Sequence, residues 1–406
     1  MKKIVRAAIV GALILAAPAT AQDVPRGLTL ERVVLMMRHG VRPPTKSPAM
    51  PAGVASEAWP DWPVKPGYLT PNGAMAVKLI AANDRARFVS AGLLARAACP
   101  RAGAIRIVAD SDQRTIATAQ AWLDVLAPKC DMPMSHKPQD VPDPLFSPLD
   151  EGLATLDPAR ANAAVHEAAG TGGIPAQEAR LRPILARLDA ILCGAIRQAC
   201  GISGQPSGLA EATANKRPKL TGALDRGSTV AQILLLEYAD GKPMRDVGWG
   251  RATVADITRA SELHAVEFAL LARPEYIARA NLAGLAPIIS NALSDRSADA
   301  PVVTMISGHD TNVASLGGVL GLHWHVPGFA ADDPTPGGAI VLERLRDAKG
   351  RFYVRAVYRS LTLEQTRAQT RGGAPYRSVM PIAGCTARGI PGLCDEAVFL
   401  RLMSAR

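Results

Sequence analysis

One stretch near the amino terminus decides the fold of this chain, Arg32-Val33-Val34-Leu35-Met36-Met37-Arg38-His39-Gly40-Val41-Arg42-Pro43-Pro44. Its first half is almost continuously apolar, as is typical of a strand that lies inside a parallel sheet and is covered on both faces. Its second half is polar and is broken by glycine and proline. The stretch therefore predicts a buried strand whose carboxyl end carries a histidine between two arginines.

Two later segments repeat this arrangement of an apolar strand followed by a polar loop. Residues Ala104–Ala109 precede Asp110–Arg114, and Val302–Ile306 precede Ser307–Asn312. Short β-branched runs of this kind are typical of buried strands in a parallel sheet.

Helix-period patterns over Gly73–Ala97 and Thr115–Leu126 alternate with the strands, which favours an α/β fold. In open sheets of this class, ligands bind beyond the carboxyl ends of the strands. We therefore expect the three polar loops to meet at one edge of the sheet, although they are far apart in the sequence.

The middle of the chain differs, because from about Leu156 to Leu271 it is rich in alanine and leucine. Helix-period patterns such as Ile184–Ile196 and Val230–Tyr238 are separated by breaks rich in glycine and proline. We interpret this region as a mostly helical cap inserted into the α/β core. The predicted division is a signal peptide over 1–21, the first part of the core over 22–155, the cap over 156–272 and the second part of the core over 273–406.

The second part of the core contains a hairpin signal. Apolar and polar residues alternate over Ala339–Leu345 and over Phe352–Tyr358, on either side of the turn residues Asp347–Gly350. This pattern predicts an antiparallel hairpin. We expect it at the edge of the same sheet.

The first residues have the three parts of a secretory signal peptide. A basic start with Lys2, Lys3 and Arg6 is followed by the apolar run Ala7–Ala17 and by the small-residue cleavage site Ala19-Thr20-Ala21. We expect cleavage after this site and a periplasmic location of the Gram-negative type. No later stretch is long and apolar enough for a membrane helix, so we expect no membrane attachment after cleavage.

Charge alone does not identify the partner. Removal of the signal peptide takes the formal net charge from +10 to +7, and the arginines are scattered rather than grouped in a basic run. A cation-rich cleft for a small anionic substrate explains this excess without a nucleic acid. We expect a small anionic molecule as the partner, no nucleic acid, and a monomeric protein.

Six cysteines remain in a chain that is predicted to leave the cytoplasm, and their even number favours disulfides. Pairing of neighbours is favoured, as Cys99 with Cys130, Cys193 with Cys200, and Cys385 with Cys394. No CxxC or clustered Cys/His set is present, and we interpret His323-Trp324-His325 as a strand or loop feature rather than a ligand pair. We predict neither a metal nor a cofactor.

Hydrolysis of a phosphate monoester requires a phosphate clamp, a nucleophile and a proton donor. Arginine binds phosphate oxygens in pairs and keeps its charge, which suits Arg38, Arg42 and Arg114 to the clamp. A neutral imidazole can form a covalent phosphoenzyme intermediate, which suits His39 to the role of nucleophile. A protonated carboxylic acid can supply a proton to the leaving oxygen, which suits Asp310.

His309 stands beside Asp310 and can add a hydrogen bond to the phosphate. Gly40 and Gly308 would allow close approach of the backbone where a side chain would obstruct. The three loops thus supply a complete set for metal-independent hydrolysis.

With these residues, the sequence resembles the histidine acid phosphatases, the second branch of the histidine phosphatase superfamily. It is particularly similar to bacterial periplasmic phytases and glucose-1-phosphatases. The resemblance extends over nearly the whole chain after the signal peptide. The motifs that carry it are Arg38-His39-Gly40-Val41-Arg42-Pro43-Pro44-Thr45-Lys46, Pro142-Asp143-Pro144-Leu145-Phe146, Gly248-Trp249-Gly250-Arg251, Gly308-His309-Asp310-Thr311-Asn312, Thr335-Pro336-Gly337-Gly338 and the pair Cys385/Cys394.

The resemblance implies an open-sheet core like that of phosphoglycerate mutase, with a helical cap. It implies a small phosphate ester, such as an inositol phosphate or a sugar phosphate, as the partner. It also implies a phosphohistidine intermediate at His39, a proton donor at Asp310, and contacts of the scissile phosphate with Arg38, Arg42, Arg114 and His309. Thr45 and Lys46 match residues of the substrate cleft in the phytases, and we add Thr311 and Gln232 as further cleft residues.

Two positions depart from the family pattern. Gln232 stands where many relatives have an acidic cleft residue, and Asn281 stands where some phytases carry one more basic residue. Both departures argue against tight binding of a heavily phosphorylated substrate. They leave the hydrolytic centre untouched.

Several residues have a structural interpretation as well as a functional one. Arg114 could form an ion pair with Asp110 or Asp112, and Lys46 could be a solvated loop residue. The tryptophans of the proline-rich loop, Trp59 and Trp62, fit core packing and a substrate wall equally well. We assign structural or surface roles to the remaining histidines, His136, His166 and His264.

We predict a periplasmic histidine acid phosphatase, phytase-like or of broad specificity, that works in two steps at acidic pH. A glucose-1-phosphatase type of sugar phosphatase is the first alternative. A phosphotransfer enzyme like phosphoglycerate mutase is disfavoured by the signal peptide. A periplasmic phosphate-ester binding protein without turnover is disfavoured because a binder needs neither His39 nor Asp310.

Overall fold

A computed structural model of the chain describes residues 24–196, 200–370 and 373–404. The predicted signal peptide over 1–21 lies outside the described residues. The core strands are β1 (Leu28–Arg38), β2 (Ile105–Ala109), β5 (Val303–Gly308), β6 (Ala339–Asp347), β7 (Phe352–Ser360), β8 (Tyr376–Met380) and β9 (Leu393–Asp395), and a separate two-stranded ribbon consists of β3 (Gly208–Ala210) and β4 (Lys219–Thr221).

The α-helices of the described ranges are α1 (Pro71–Ser90), α2 (Gln113–Leu126), α3 (Pro158–Ala169), α4 (Gly173–Cys193), α5 (Gly222–Ala239), α6 (Val254–Leu271), α7 (Glu275–Asn281), α8 (Leu285–Ser294), α9 (Asp310–Val319), α10 (Leu363–Ala368) and α11 (Glu396–Ser404). A short 3-10 helix lies at Val247–Gly250. The α/β fold class that the sequence predicts is confirmed.

The core sheet has the strand order β2-β5-β1-β6-β7-β8, and β9 also pairs with β7. Strands β2, β5 and β1 are parallel, whereas the remaining pairs are antiparallel. In register, Arg38 lies beside Gly308, and Ala109 lies beside Ser307. The carboxyl ends of the three parallel strands are therefore neighbours at one edge of the sheet.

Strand β1 is buried on both faces, as its nearly continuous apolar sequence predicts. Val33, Leu35 and Met37 belong to the apolar cluster that the sheet shares with α1 and α2. Val34 and Met36 point to the other face and belong to a cluster that continues into the helices of the middle region. The alternation of side chains along the strand thus joins two layers of helices through one sheet.

Helix α1 starts with strong sequence signals and ends earlier than its apolar pattern predicts. The Thr70 hydroxyl accepts the amide hydrogen of Gly73, and Pro71 occupies the first turn, where no amide donor is needed. The helix ends at Ser90 rather than at residue 97. Gly92 follows with φ of +77°, a left-handed conformation that ends helices.

The region between α2 and β5 is mostly helical, as the sequence predicts. Helices α4, α5 and α6 pack against one another, and Thr253 forms a reciprocal capping box with Asp256 at the start of α6. The ribbon β3–β4, which the sequence did not predict, lies between α4 and α5. The division of the chain at residues 156 and 272 stays a prediction.

The predicted hairpin is formed by β6 and β7, but its placement at the edge of the sheet is wrong. Strand β7 pairs with β8 and β9 on its other side. The polar residues that suggested an exposed face are buried in ion pairs, where Arg355 binds Glu343 and Arg359 binds Asp84. Alternation of charged and apolar residues therefore marked a buried polar network rather than a solvated edge.

Three disulfides pair the cysteines as neighbours in the sequence, Cys99 with Cys130, Cys193 with Cys200, and Cys385 with Cys394. The exposed His323 lies in a loop, where its Nδ1 atom is 2.6 Å from Oδ2 of Asp332. Among the described residues, no helix combines the length and the apolar character that crossing a bilayer requires.

Candidate active site

The three polar loops meet at the carboxyl ends of β1, β2 and β5. The amide of His39 donates to the carbonyl of Gly308 at 2.9 Å, and the amide of Asp110 donates to the carbonyl of Ser307 at 3.0 Å. These bonds extend the parallel pairing into the loops. A cavity of about 610 Å³ opens there, and its lining includes His39, Arg42, Arg114, His309 and Asp310.

The backbone around His39 is held from several sides. Its carbonyl accepts the amide hydrogen of Gly337 at 3.0 Å, and the amide of Gly40 donates to Oγ1 of Thr118 at 3.0 Å. A Cβ atom on Gly40 would lie 2.8 Å from Cδ1 of Leu69. Glycine at position 40 therefore allows the loop to pack closely against neighbouring protein groups.

The His39 side chain is buried and has one defined hydrogen-bond partner. Its Nδ1 atom lies 2.8 Å from the carbonyl oxygen of Gly40, and a carbonyl oxygen can only accept, so Nδ1 carries the hydrogen. Nε2 is then the atom with the free lone pair. Burial, followed by the positive charges of Arg114, Arg42 and Arg38, lowers the pKa of His39 well below its ordinary value. The site thus favours a neutral imidazole.

Arg38 is fixed by three contacts that leave its guanidinium little freedom. It donates to the carbonyl oxygen of Pro334 at 2.5 Å and to Oε1 of Gln232 at 2.9 Å, and it forms an ion pair with Oδ2 of Asp310 at 3.0 Å. Gln232, a predicted cleft residue, therefore acts directly on Arg38. An amide in this position accepts a hydrogen bond without neutralising the guanidinium charge.

Arg42 and Arg114 line the same cavity as His39. Arg42 donates to the carbonyl of Pro43 at 2.9 Å, and Arg114 pairs with Oδ2 of Asp112 at 2.6 Å. Each Nε atom is buried without a hydrogen-bond partner within the part of the chain that the structure describes. Burial, then Arg114 and Arg38, lower the pKa of Arg42 to about 9, so it keeps its charge in acid. Arg114 therefore forms the ion pair with Asp112 and also lines the cavity.

Asp310 begins helix α9 and presents its two oxygens to different partners. Oδ1 accepts the amide hydrogen of Thr311 at 2.9 Å, whereas Oδ2 faces Arg38 at 3.0 Å and Nε2 of His264 at 4.0 Å. Burial by itself raises the pKa of Asp310, but the positive charges of Arg38, His264, His39 and Arg42 outweigh this effect and the net shift is downward.

His309 lies edge-on to His39, with a centroid distance of 5.7 Å between the rings. Its Nε2 contacts Oδ2 of Asp110, and its Nδ1 lies 3.4 Å from an Arg114 nitrogen. One carboxylate oxygen each of Asp110 and Asp112 and one ring nitrogen of His309, atoms that can bind a metal ion, lie within 4.8 Å of one another. The Arg114 guanidinium already supplies positive charge to this group. The mechanism that we propose for the site therefore uses no metal.

The predicted cleft residues line a second cavity of about 1040 Å³ that continues from the first at Arg42, Asp310 and Thr311. Its wall contains Thr45, Lys46, Gln232 and Thr311. Asn281 lines the first cavity, where its side-chain amide donates to Oγ of Ser315 at 3.2 Å.

Two site residues had no recognisable sequence signal. Arg217 lies between β3 and β4, lines both cavities, and donates to Oγ1 of Thr311 at 3.2 Å. His264 is buried beside Asp310. The structural or surface role that we predict for it from the sequence does not include this contact. Both contacts depend on the fold that brings distant elements together.

His136 and His166, for which we predict structural or surface roles, are exposed and line neither of these two cavities. Trp59 packs against Trp249 with 4.9 Å between ring centroids, and Trp62 lies under Lys242. Both tryptophans line a separate cavity of about 570 Å³. They do not line the cavity that contains His39.

Comparison with known proteins relates this arrangement to one family. The chain matches the model of the histidine phosphatase superfamily (branch 2) over residues 29–359. It is 36% identical to phytase AppA of Escherichia coli (strain K12), over 95% of this chain and 94% of that protein. It is 28% identical to the glucose-1-phosphatase of Salmonella typhimurium, over 99% of this chain and 98% of that protein.

Structural comparison gives the same relationship. The chain superposes on the Hafnia alvei phytase in complex with tartrate with a TM-score of 0.86 and 36% sequence identity. The superposition covers 94% of this chain and 98% of the other.

Proposed function

We propose a two-step reaction for this chain, which belongs to branch 2 of the histidine phosphatase superfamily and hydrolyses phosphate monoesters. The observation that carries the proposal is the convergence of His39, Arg42, Arg114 and Asp310 from separate loops on one cavity, with Arg38 paired to Asp310 beside it. In the first step, the phosphate group is transferred to His39. In the second, water releases it.

The arginines bind the phosphate group. Arg42 and Arg114 line the cavity and have buried Nε–H groups without a partner in the described ranges. Guanidinium groups bind phosphate oxygens through paired, charge-assisted hydrogen bonds. We assign Arg38 to the same clamp, held in place by Gln232 and Asp310, and we assign His309 an additional hydrogen bond to the phosphate.

In the first step, Nε2 of His39 attacks phosphorus in line with the ester oxygen. The N–P bond forms, the P–O bond to the alcohol breaks, and Asp310 gives its proton to the departing oxygen. The lone pair on Nε2 is available because Nδ1 carries the hydrogen that binds Gly40. The lowered pKa of His39 keeps this lone pair free in acid.

In the second step, water attacks the phosphohistidine. The carboxylate of Asp310 accepts a proton from that water, the N–P bond breaks, and inorganic phosphate and neutral His39 are released. The proton taken from water is then available for the next turnover. The atoms balance without a metal or a redox partner.

Asp310 can hold a proton only if the positive charge of the nearby arginines is offset. Those positive charges lower its pKa, but a bound phosphate dianion brings negative charge to the same place and favours the protonated carboxyl. Substrate binding and protonation of Asp310 are therefore coupled. Acidic pH favours the same state, which fits an acid phosphatase.

For the substrate, we propose a phytase-like or broad range of phosphate monoesters. Arg217 and Lys46 add positive charge to the cleft wall beyond the scissile phosphate, which suits an ester with further anionic groups. Gln232 and Asn281 provide no such charge. A sugar phosphatase of the glucose-1-phosphatase type is the second candidate, favoured by the 28% identity to such an enzyme.

We also propose a periplasmic, monomeric enzyme that is freed from the membrane when the signal peptide over 1–21 is removed. The basic start, apolar run and cleavage site support secretion. The three disulfides agree with an oxidising compartment.

The deciding experiment measures phosphate release from p-nitrophenyl phosphate at about pH 5, with and without EDTA, for the wild type and for His39→Ala. We expect activity that resists the chelator and depends on His39. Radiolabelled phosphate should be trapped on the protein after an acid quench. A phosphate-ester binding protein without turnover would give neither product nor trapped label.

A further inference from the structure

Next to the proposed proton donor lies a buried histidine–aspartate pair. His264, on α6, is 5% exposed, and Asp333, in the loop before β6, is 1% exposed. Their Nδ1 and Oδ1 atoms are 2.7 Å apart. A carboxylate only accepts hydrogen bonds, so Nδ1 of His264 carries a hydrogen and its Nε2 atom points elsewhere.

That Nε2 atom faces the catalytic carboxylate. It lies 4.0 Å from Oδ2 of Asp310, the same oxygen that pairs with Arg38. The charged groups around the imidazole are Asp333 from the loop before β6, Asp310 from the start of α9, and Arg38 from the end of β1. Glu267, which lies on α6 like His264, lines the cavity of about 1040 Å³ together with His264. The imidazole therefore lies between two carboxylates.

This arrangement has a chemical consequence for Asp310. The positive charges around that carboxyl stabilise its ionised form, yet a proton donor must hold a proton when the ester bond breaks. An imidazole can both carry and release a proton, and the Nε2 atom of His264 faces the carboxylate that needs one.

We propose that His264, positioned by Asp333, is the proton reservoir of Asp310. This inference rests on the proposed function, in which Asp310 protonates the leaving alcohol. In the first step, the Nε2–H bond of His264 breaks as an O–H bond forms on Asp310, which passes a proton to the ester oxygen. In the second step, the proton that Asp310 takes from water returns to His264.

The 4.0 Å separation sets a requirement for this transfer. It exceeds the length of a direct hydrogen bond, so the proton moves after a small approach of the two groups or through one bridging water. The relay leaves no net change in protonation over one turnover.

A structural role for the same residues makes a different prediction. His264 packs edge-on against Phe268 with 4.6 Å between ring centroids, and the Asp333 carbonyl accepts from Nε1 of Trp324. If packing were the only role, a substitution that keeps shape and hydrogen bonding would keep activity. Losses would also be the same for all leaving groups.

The test compares His264→Gln, Asp333→Asn, Asp310→Asn and the double variant His264→Gln/Asp310→Asn. Glutamine can donate toward Asp310 but cannot carry the transferable proton. For each protein, kcat/KM is measured across pH with p-nitrophenyl phosphate, a good leaving group, and glycerol 2-phosphate, a poor one. His323→Gln is the matched control, because His323 is also bonded to an aspartate but is exposed and outside both catalytic cavities.

We expect His264→Gln to lose about 30-fold or more with glycerol 2-phosphate but only a few-fold with p-nitrophenyl phosphate. The double variant should lose no more than Asp310→Asn, because both substitutions interrupt one proton path. Asp333→Asn should also lower kcat/KM more with glycerol 2-phosphate than with p-nitrophenyl phosphate, because it weakens the contact that orients His264 toward Asp310. His323→Gln should behave as the wild type.

Equal losses for the two substrates, or additive losses in the double variant, would overturn the relay. If His264→Gln fails to fold, Asp333→Asn decides the question, because equal losses of kcat/KM for the two substrates in that variant would overturn the relay. Failure of the proposed function looks different, because His39→Ala would then remain active or Asp310→Asn would show no dependence on the leaving group.

Discussion

Arg38 and Asp310 form an ion pair of 3.0 Å that joins the end of β1 to the start of α9. The pair links the proposed phosphate clamp to the proposed proton donor. A phosphate dianion that binds Arg38 also weakens the hold of Arg38 on the Asp310 carboxylate. Recognition of the phosphate and protonation of the acid are thereby connected.

Replacement of the nucleophile should stop turnover. We expect His39→Ala to lower kcat for p-nitrophenyl phosphate by about 1000-fold or more, because the variant lacks the Nε2 atom that forms the bond to phosphorus. Steady-state phosphate release and acid-quench trapping of label measure the effect. Trapped label at wild-type levels in the variant would place the intermediate on another residue.

Asp310→Asn should discriminate between leaving groups. An amide cannot donate the catalytic proton, so we expect about a 100-fold loss of kcat/KM with alkyl phosphates and a much smaller loss with aryl phosphates. A series of substituted phenyl and alkyl esters measures this dependence. A uniform loss across the series would argue against the assignment of Asp310 as the acid.

Arg217→Gln should affect substrates with several anionic groups. Arg217 is held on Thr311 at the cleft wall, beyond the scissile phosphate. We expect kcat/KM for inositol hexakisphosphate to fall about 10-fold, while that for glucose 1-phosphate stays within a factor of about two. Arg245→Gln, an exposed arginine outside both cavities, is the matched control. Equal losses for the two substrates would assign Arg217 to the general stability of the cleft.

The acidic limb of the pH profile should respond to Arg114. Burial and then Arg114 lower the pKa of His39, so His39 stays neutral below its ordinary titration range and the enzyme works in acid. Removal of the Arg114 charge raises that pKa. We expect the acidic limb of kcat/KM in Arg114→Gln to move to higher pH, together with weaker phosphate binding. Arg106→Gln, exposed on β2, should leave the limb in place.

The buried Glu237 should make stability depend on pH. Burial raises its pKa to about 8, and one oxygen accepts the Gly248 amide hydrogen at 3.2 Å. Because the folded pKa exceeds the unfolded one, the penalty for ionisation is absent in acid, grows as pH rises above about 4.5, and is complete above about 8.

Glu237→Gln removes this penalty and can keep the hydrogen bond to Gly248. We expect the free energy of unfolding to rise by a few kcal/mol at pH 7 and by little at about pH 4, measured by urea denaturation. A gain of the same size at both pH values would show that the effect comes from packing and not from ionisation.

The sequence predicted the placement of those candidate site residues that directly follow a recognisable strand. Strand β1 and the loop from Arg38 to Arg42 are contiguous, and Asp310 follows another recognisable strand, so the geometry of a parallel sheet brings them together. His264 could not be assigned in this way. Its role depends on Asp333 and Asp310, which only the tertiary fold places on either side of its ring.

The same reasoning explains the hairpin. Glu343, Arg355 and Arg359 alternate with apolar residues, and alternation alone predicts one solvated face. The partners that bury these charges come from other elements, such as Asp84 of α1. A sequence pattern reports the chemistry of each residue but not the origin of its counterion.

The clamped backbone of His39 has a final consequence. Gly308, Gly337 and Thr118 fix the peptide groups of His39 and Gly40 from three separate elements, and Gly40 fixes the ring. The reorganisation that a mobile nucleophile would undergo on approaching phosphorus is therefore completed when the chain folds. Substitutions at these supporting positions should slow phosphoryl transfer through an added entropic barrier, even though none of them lines the cavity that contains His39.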